Sequence, residues 1–204
     1  MHQKDLASST RGRPRKFDPE VVVDRAMQVF WSKGYNGTAL PDLLDATRLS
    51  RGSLYAAFGD KHGLFLQALD RYISQALTRI DGELSPDRNA FDGLRIFLTG
   101  YVKRMSGAAG KRGCLVVATA MELAGHDPDI EKRIRHFFKA AEGKLLRALQ
   151  RAHEAGELAD DVEPAHAARA LFAVVEGLRV LAKTGVDCDA WYATLDAILD
   201  RFRK

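Results

Sequence analysis

Cysteine is scarce in this chain of 204 residues, occurring only as Cys114 and Cys188. Two thiols are too few for a disulfide framework and lack the spacing of a metal site, so both are read as reduced. Long hydrophobic runs are missing as well. Charged residues interrupt every apolar stretch well short of the roughly 20 residues that a bilayer crossing requires, and no membrane partner is expected. Residues 1–10 are polar and contain no apolar segment of a signal peptide, which gives the expectation of a cytoplasmic chain. The constellations of catalysis are absent too: there is no phosphate-cradling glycine loop, no Gly-x-Ser-x-Gly elbow and no His-Glu-x-x-His helix. Carboxylates such as Glu122 and Asp127 are accounted for by solvent exposure and helix capping. His126 and His136 do not assemble a tetrahedral set. Neither an enzyme, nor a cofactor, nor a metal is expected.

What is present is an ordinary globular composition, 46% hydrophobic and 28% charged, with a formal charge of +4. The positive charge gathers early, with Arg11, Arg13, Arg15 and Lys16 inside Arg-Gly-Arg-Pro-Arg-Lys. Such a cluster reads either as a solvated tail or as a narrow strand that lies in a minor groove, and the same core occurs in AT-hooks.

After Phe17 the apolar spacing is helical throughout, and no alternation is long enough for a strand. Asp18-Pro19 opens a first helix that Gly34 ends, and Thr38 opens a short second one with Pro41 in its first turn. Ser50 caps a third, from Arg51 to about Phe58. Asp60 caps a long fourth, broken by Gly82 and Pro86. A fifth carries Phe91 through Met105 and stops at the small residues 106–110, and a sixth runs from about Arg112 to Ala124. The seventh starts at Asp127-Pro128 and ends near Gly156, the eighth starts around Pro164, and the ninth holds Trp191 through Phe202. The expectation is an all-α fold of about nine helices.

The second and third helices, joined by a tight turn around residues 47–49, have the layout of a helix-turn-helix. In that geometry Ser50, Arg51, Gly52 and Ser53 lead into the major groove. Arg51 can donate twice to a guanine edge, and Gly52 lets backbone approach the duplex. From Phe17 to Phe65, a quarter of the chain, the sequence resembles the N-terminal domain of the TetR family. The resemblance is carried by Ala26, Phe30, Gly34-Tyr35, Gly37-Thr38, Ser50-Arg51-Gly52-Ser53-Leu54-Tyr55, Phe58, Lys61 and Leu64-Phe65 in fixed register.

The resemblance implies a regulator that binds operator DNA as a homodimer and senses a small molecule. It implies three parts: a basic arm over 1–16, a helix-turn-helix domain over 17–64, and a helical ligand-binding and dimerisation domain over 65–204. Arg51, Gly52 and Ser53 are expected to read bases. Thr38, Tyr55 and Lys61 are expected on phosphate, with capping for Thr38 and core packing for Tyr55 as the alternatives. The basic arm becomes a candidate for minor-groove or phosphate contact.

The ligand pocket is expected among the fifth to seventh helices, with Phe97, Tyr101, Met105, Cys114, Met121 and Phe137 as candidates, each equally readable as core. The dimer interface is expected on the last two helices, with Leu171, Phe172, Val175, Leu178, Leu195 and Ile198, helped by Gly177. Cys114 follows Lys111-Arg112-Gly113, where two cations and a helix N-terminus could favour thiolate. Its Gly-Cys-Leu setting resembles a TetR branch that includes electrophile- and metal-sensing repressors, and structural packing is the other reading. The competing reading of the whole chain is an architectural, AT-hook-like DNA-binding protein without an inducer.

Overall fold

In a computed structural model, which describes residues 17–185 and 189–204, the chain forms ten α-helical segments among the described residues. They are α1 Pro19–Lys33, α2 Leu40–Thr47, α3 Arg51–Phe58, α4 Lys61–Glu83, α5 Ala90–Met105, α6 Gly107–Arg112, α7 Leu115–Leu123, α8 Pro128–Glu154, α9 Pro164–Ala182 and α10 Asp189–Phe202. Nine correspond to the helices expected from periodicity. The six-residue α6 occupies the small-residue stretch that reads as a break, because its glycines hide a helical turn from any pattern argument. No strand occurs among the described residues, only an isolated antiparallel bridge between Leu158 and Arg203.

Helix starts follow the expected caps in four places. Asp18, Ser50, Asp60 and Asp127 each accept from backbone N–H groups in the first turn of α1, α3, α4 and α8. The second helix differs. Its N-cap is Ala39, not Thr38, and Ala39 N–H donates to Asp42 Oδ2 at 3.0 Å. The Thr38 hydroxyl turns inward and donates to the Gly34 carbonyl at 2.6 Å.

Two hydrophobic clusters form the interior. One gathers α1, α2, α3 and the first half of α4 around Phe30, Leu54 and Phe65, and also takes in Cys114, Leu115 and Val116 before and on α7 and Ile130, Ile134 and Phe137 of α8. The other packs α5, the second half of α8, α9 and α10 around Leu94, Leu149 and Leu171. The change of core falls within α4, between Ala76 and Ile80, with Leu77 packed against both. An unbroken 23-residue helix therefore runs through both cores. The helix-turn-helix cannot bury its own apolar faces alone and borrows α7 and α8 to do so.

Candidate functional site

The surface built by α2 and α3 is shaped by Arg48, which closes α2 in the left-handed region at φ 59° and lets the chain turn tightly into Ser50. Ser50 Oγ accepts from Ser53 N–H at 3.2 Å and lies 2.9 Å from Ser53 Oγ, fixing the first turn of α3. Leu54 and Phe58 are buried, so Arg51, Gly52 and Tyr55 face solvent from the same short helix. Arg51 packs over the Tyr55 ring at 5.5 Å, and its Nη2 is 3.5 Å from the Tyr55 hydroxyl. A Cβ at Gly52 would meet nothing within 4 Å, so the surface there is open. This is a cationic, hydroxyl-bearing helix end that can enter a groove without obstruction.

One of the residues expected on phosphate is placed otherwise. Thr38 is only 1% exposed, its hydroxyl spent on the α1–α2 turn, so its role is structural. Lys61 is half-buried with its Nζ over the Tyr35 ring at 4.3 Å, which leaves it near the surface but tethered. Tyr55 is exposed, and core packing does not account for it. Arg11, Arg13, Arg15 and Lys16 lie outside the described residues, as does Cys188.

Behind this surface lies a cavity of about 210 Å³. Its wall is made by Trp31 of α1, Tyr72, Gln75, Ala76 and Arg79 of α4, and Tyr101, Arg104 and Met105 of α5. Gly110, Arg112, Gly113 and Cys114 then close one side, and Arg179 and Ala182 of α9 the other. Of the ligand candidates, Tyr101, Met105 and Cys114 line it. Phe97 is buried in the distal core, and Phe137 is fully buried in the core shared with α1. Met121 is 85% exposed on α7, pointing away from any enclosed space. The cavity also differs from expectation in its walls: α8 contributes none of the lining, whereas α1, α4 and α9 do. Periodicity shows which residues are apolar but not which apolar faces fail to meet.

The electrostatics of the wall had one signal in the sequence. Arg179 sits inside the apolar stripe of α9, four residues after Val175, and that lone cation on a buried face was the available signal. Its guanidinium packs over Tyr101 at 4.6 Å, contacts Cys114 Sγ, and has Glu176 as its carboxylate neighbour at 3.6 Å. Burial lowers Arg179 to about 10 and pushes Glu176 up to about 7. Cys114 is 4% exposed and accepts from the Tyr72 hydroxyl at 3.5 Å. Burial raises its thiol to about 11, with the Tyr72 hydrogen bond opposing.

Of the two readings of Cys114, packing and a thiolate favoured by Lys111 and Arg112, the second finds no support in the placement of Arg112. Arg112 turns away to donate to the Gln28 carbonyl at 3.0 Å and to Gln28 Oε1 at 2.6 Å, stacking on Trp31 at 4.0 Å. Cys114 is the N-cap of α7, but desolvation outweighs the helix end.

Besides the Arg112–Gln28 contact, three others tie this region to the DNA-binding unit. Trp31 Nε1 donates to the Gly113 carbonyl at 2.9 Å. Glu122, near the end of α7, accepts from the backbone N–H of Tyr35 at 3.0 Å and of Asn36 at 2.6 Å, so its carboxylate is a bridge and solvent exposure does not account for it. Gly34, at φ +74°, permits this: a Cβ there would stand 3.0 Å from Glu122 Oε2. His62 Nε2 lies 2.6 Å from Asp127 Oδ2, linking the start of α4 to the cap of α8. The Asp127 carboxyl is held below its ordinary range despite desolvation, by the Ile130 N–H and His62. Among the described residues no group of acidic, histidine and cysteine side chains could hold a metal, and no helix is long and apolar enough to cross a membrane.

The outward face of α9 also departs from expectation. Leu171, Val175, Leu178 and Leu195 are buried within the single chain and cannot meet a partner, because the apolar stripes of α9 and α10 pack internally. Phe172 and Ile198 are half-buried. The outward residues of α9 include Ala170, Ala173, Gly177, Val180 and Leu181, with open space above Gly177, and His166 and Arg169 are exposed nearer its start.

Residues 22–68 match the family model for bacterial regulatory proteins of the tetR family, and residues 90–199 match the tetracyclin repressor-like C-terminal domain. The chain is 28% identical over 181 residues to the HTH-type transcriptional repressor ComR of Escherichia coli strain K12, covering 88% of this chain and 86% of ComR. It is 30% identical over 189 residues to the HTH-type transcriptional regulator YezE of Bacillus subtilis strain 168, covering 92% and 97%. Among solved structures, a cysteine mutant of the TetR family regulator CifR complexed with 26-base-pair operator DNA superposes with a TM-score of 0.81 at 31% identity, covering 94% of this chain and all of that one.

Proposed function

Because the chain belongs to the TetR family of transcriptional regulators, we propose that it is a repressor that binds a palindromic operator as a homodimer and is released by a small-molecule inducer held in the cavity behind α1. The observation that carries the reading is the placement of that cavity. Its wall includes Trp31 of α1 and the middle of α4, the two longest helices of the DNA-binding unit, so an occupant must touch the elements that orient α3.

The exposed end of α3 supports base reading by Arg51, with Gly52 and Ser53 at close approach and Tyr55 on phosphate. The basic arm adds phosphate or minor-groove contact through Arg11, Arg13, Arg15 and Lys16. One helix-turn-helix reads few base pairs, and a second copy supplies the missing affinity when the two recognition helices stand about 34 to 36 Å apart or a multiple of that. The outward stripe of α9 around Gly177, Val180 and Leu181, with Phe172 and Ile198 at its edges, supports the dimer contact. An inducer acts only through differential affinity for two arrangements of the pair. Here those arrangements differ in how α4 and the α6–α7 region hold α1.

Selection of bound fragments from genomic DNA at fixed salt, with stoichiometry measured, tests the reading. One palindrome occupied by two chains is the expected result. Diffuse A·T-rich enrichment without a discrete site would replace it by the architectural, AT-hook-like alternative.

A further inference from the structure

We propose that the effector of this cavity is a small organic anion, a carboxylate carried on a compact apolar or aromatic body and held by Arg179 and Arg112. The inference rests on reading the cavity as the effector site and adds to it the charge and size of the molecule.

The wall carries four guanidinium groups, those of Arg79, Arg104, Arg112 and Arg179, and no aspartate or glutamate. Arg104 is neutralised from behind by Glu83, through contacts of 2.6 and 3.2 Å. Arg179 is compensated only in part, and Arg79 and Arg112 have no carboxylate partner among the described residues. Arg179 leans on Glu176 at 3.6 Å, a carboxyl that burial leaves partly protonated near neutrality. Arg112 has only neutral partners among the described residues, the Gln28 carbonyl and side chain and the Trp31 ring, and its buried Nε has no partner at all. Arg79 has no carboxylate partner among the described residues and, like Gln75, is exposed at the mouth.

The desolvated guanidinium of Arg179 and the partly desolvated one of Arg112, with so little compensation, raise the local potential and favour an anion over a neutral molecule of the same shape. The remaining wall, Trp31, Tyr72, Ala76, Tyr101, Met105 and Ala182, is aromatic and apolar, so the rest of the ligand is not itself highly polar. Size follows from volume. A dry cavity of about 150 Å³ accommodates benzene, and about 210 Å³ leaves room for one ring or its aliphatic equivalent plus a carboxylate.

The same chemistry supplies release. Arg112 now clasps Gln28 of α1. A carboxylate inside the cavity offers a charge-assisted, bidentate partner in place of a neutral carbonyl and amide, so Arg112 turns inward and α1 loses that clasp. Binding and the change in the helix-turn-helix are then one event.

The test uses the full chain with three isosteric probes, benzoate, benzamide and benzamidinium, and with butyrate beside butyramide. Calorimetry and thermal shift report binding, and fluorescence anisotropy on the selected operator reports release, all at constant ionic strength. The carboxylates are expected to bind and weaken operator affinity, with each amide roughly thirtyfold weaker or more. Arg112→Gln and Arg179→Gln should each cost the carboxylate tenfold or more while leaving the amide unchanged. Arg112 is only partly buried, so its variant keeps the test open if Arg179→Gln does not fold. An amide that binds as well as its carboxylate overturns the anion assignment, and if it also releases operator, the sensor reading survives alone. Failure of every carboxylate to bind at millimolar concentration overturns the assignment as well. Carboxylate binding that leaves operator affinity untouched overturns the sensor reading, and with it the effector role.

Discussion

Glu122→Ala should uncouple the cavity from the DNA-reading helices, and its size can be worked out from two hydrogen bonds. The carboxylate accepts the half-buried Tyr35 N–H at 3.0 Å and the more exposed Asn36 N–H at 2.6 Å. A hydrogen bond to a charged acceptor contributes about 1.5–3 kcal/mol when shielded and less when water can replace it. Together the pair is worth about 2 kcal/mol, which for a chain of this size lowers Tm by about 4–8 °C. Glu122→Gln keeps one acceptor and most of the volume, so its loss should be about half as large. Glu122 does not line the cavity, so benzoate affinity should be unchanged in both variants. The ratio of operator affinities with and without benzoate should collapse from the 5- to 150-fold range, roughly, that is usual for allosteric coupling toward unity. Urea denaturation, calorimetry and operator anisotropy on the three proteins measure each quantity. If the alanine variant keeps full coupling, or if alanine and glutamine lose the same stability, the carboxylate bridge is not the link.

Cys114, with its thiol raised to about 11, should react with iodoacetamide at pH 7.4 orders of magnitude more slowly in the native chain than in urea, as read by peptide mapping. Rapid native alkylation would revive the activated-thiolate reading. Glu176, raised to about 7 by burial, binds a proton more tightly folded than unfolded. Its contribution is full below the ordinary carboxylate pKa and is lost as pH climbs toward 7. The stability of Glu176→Gln relative to the parent should therefore improve between pH 4.5 and pH 8, by about 1–3 kcal/mol; a flat difference across that range would show that the carboxyl is not perturbed. Deleting residues 1–16 should weaken operator binding and flatten its dependence on salt, and an unchanged slope across a salt series would remove the arm from the interface.

Much of the fold is local and was therefore open to inspection of the sequence. Asp18, Ser50, Asp60 and Asp127 cap helices because a short acceptor side chain satisfies N–H groups two or three residues on, and that depends on nothing distant. Thr38 has the same chemistry, yet a nearer carbonyl on Gly34 took its hydroxyl, so the local rule lost to a turn whose shape Glu122 also stabilises. Leu171, Val175, Leu178 and Leu195 show a second limit. Periodicity identified them as an apolar face but could not say whether the neighbour was another helix of the same chain or of a second copy.

The sequence by itself determined the helical class, the helix-turn-helix with Ser50 and Arg51 at its leading end, and the family. These follow from spacing, capping and register over stretches of a few turns. Only the tertiary structure decided where apolar faces fail to meet and leave a cavity, that Arg79, Arg112 and Arg179 converge on it from three separate helices, and that Cys114 lies on its wall, buried between Tyr72 and Arg179. Convergence across separations such as the 65 residues between Cys114 and Arg179 depends on how whole helices pack, and desolvation, the largest influence on that thiol, is a property of enclosure that no neighbour in sequence can supply.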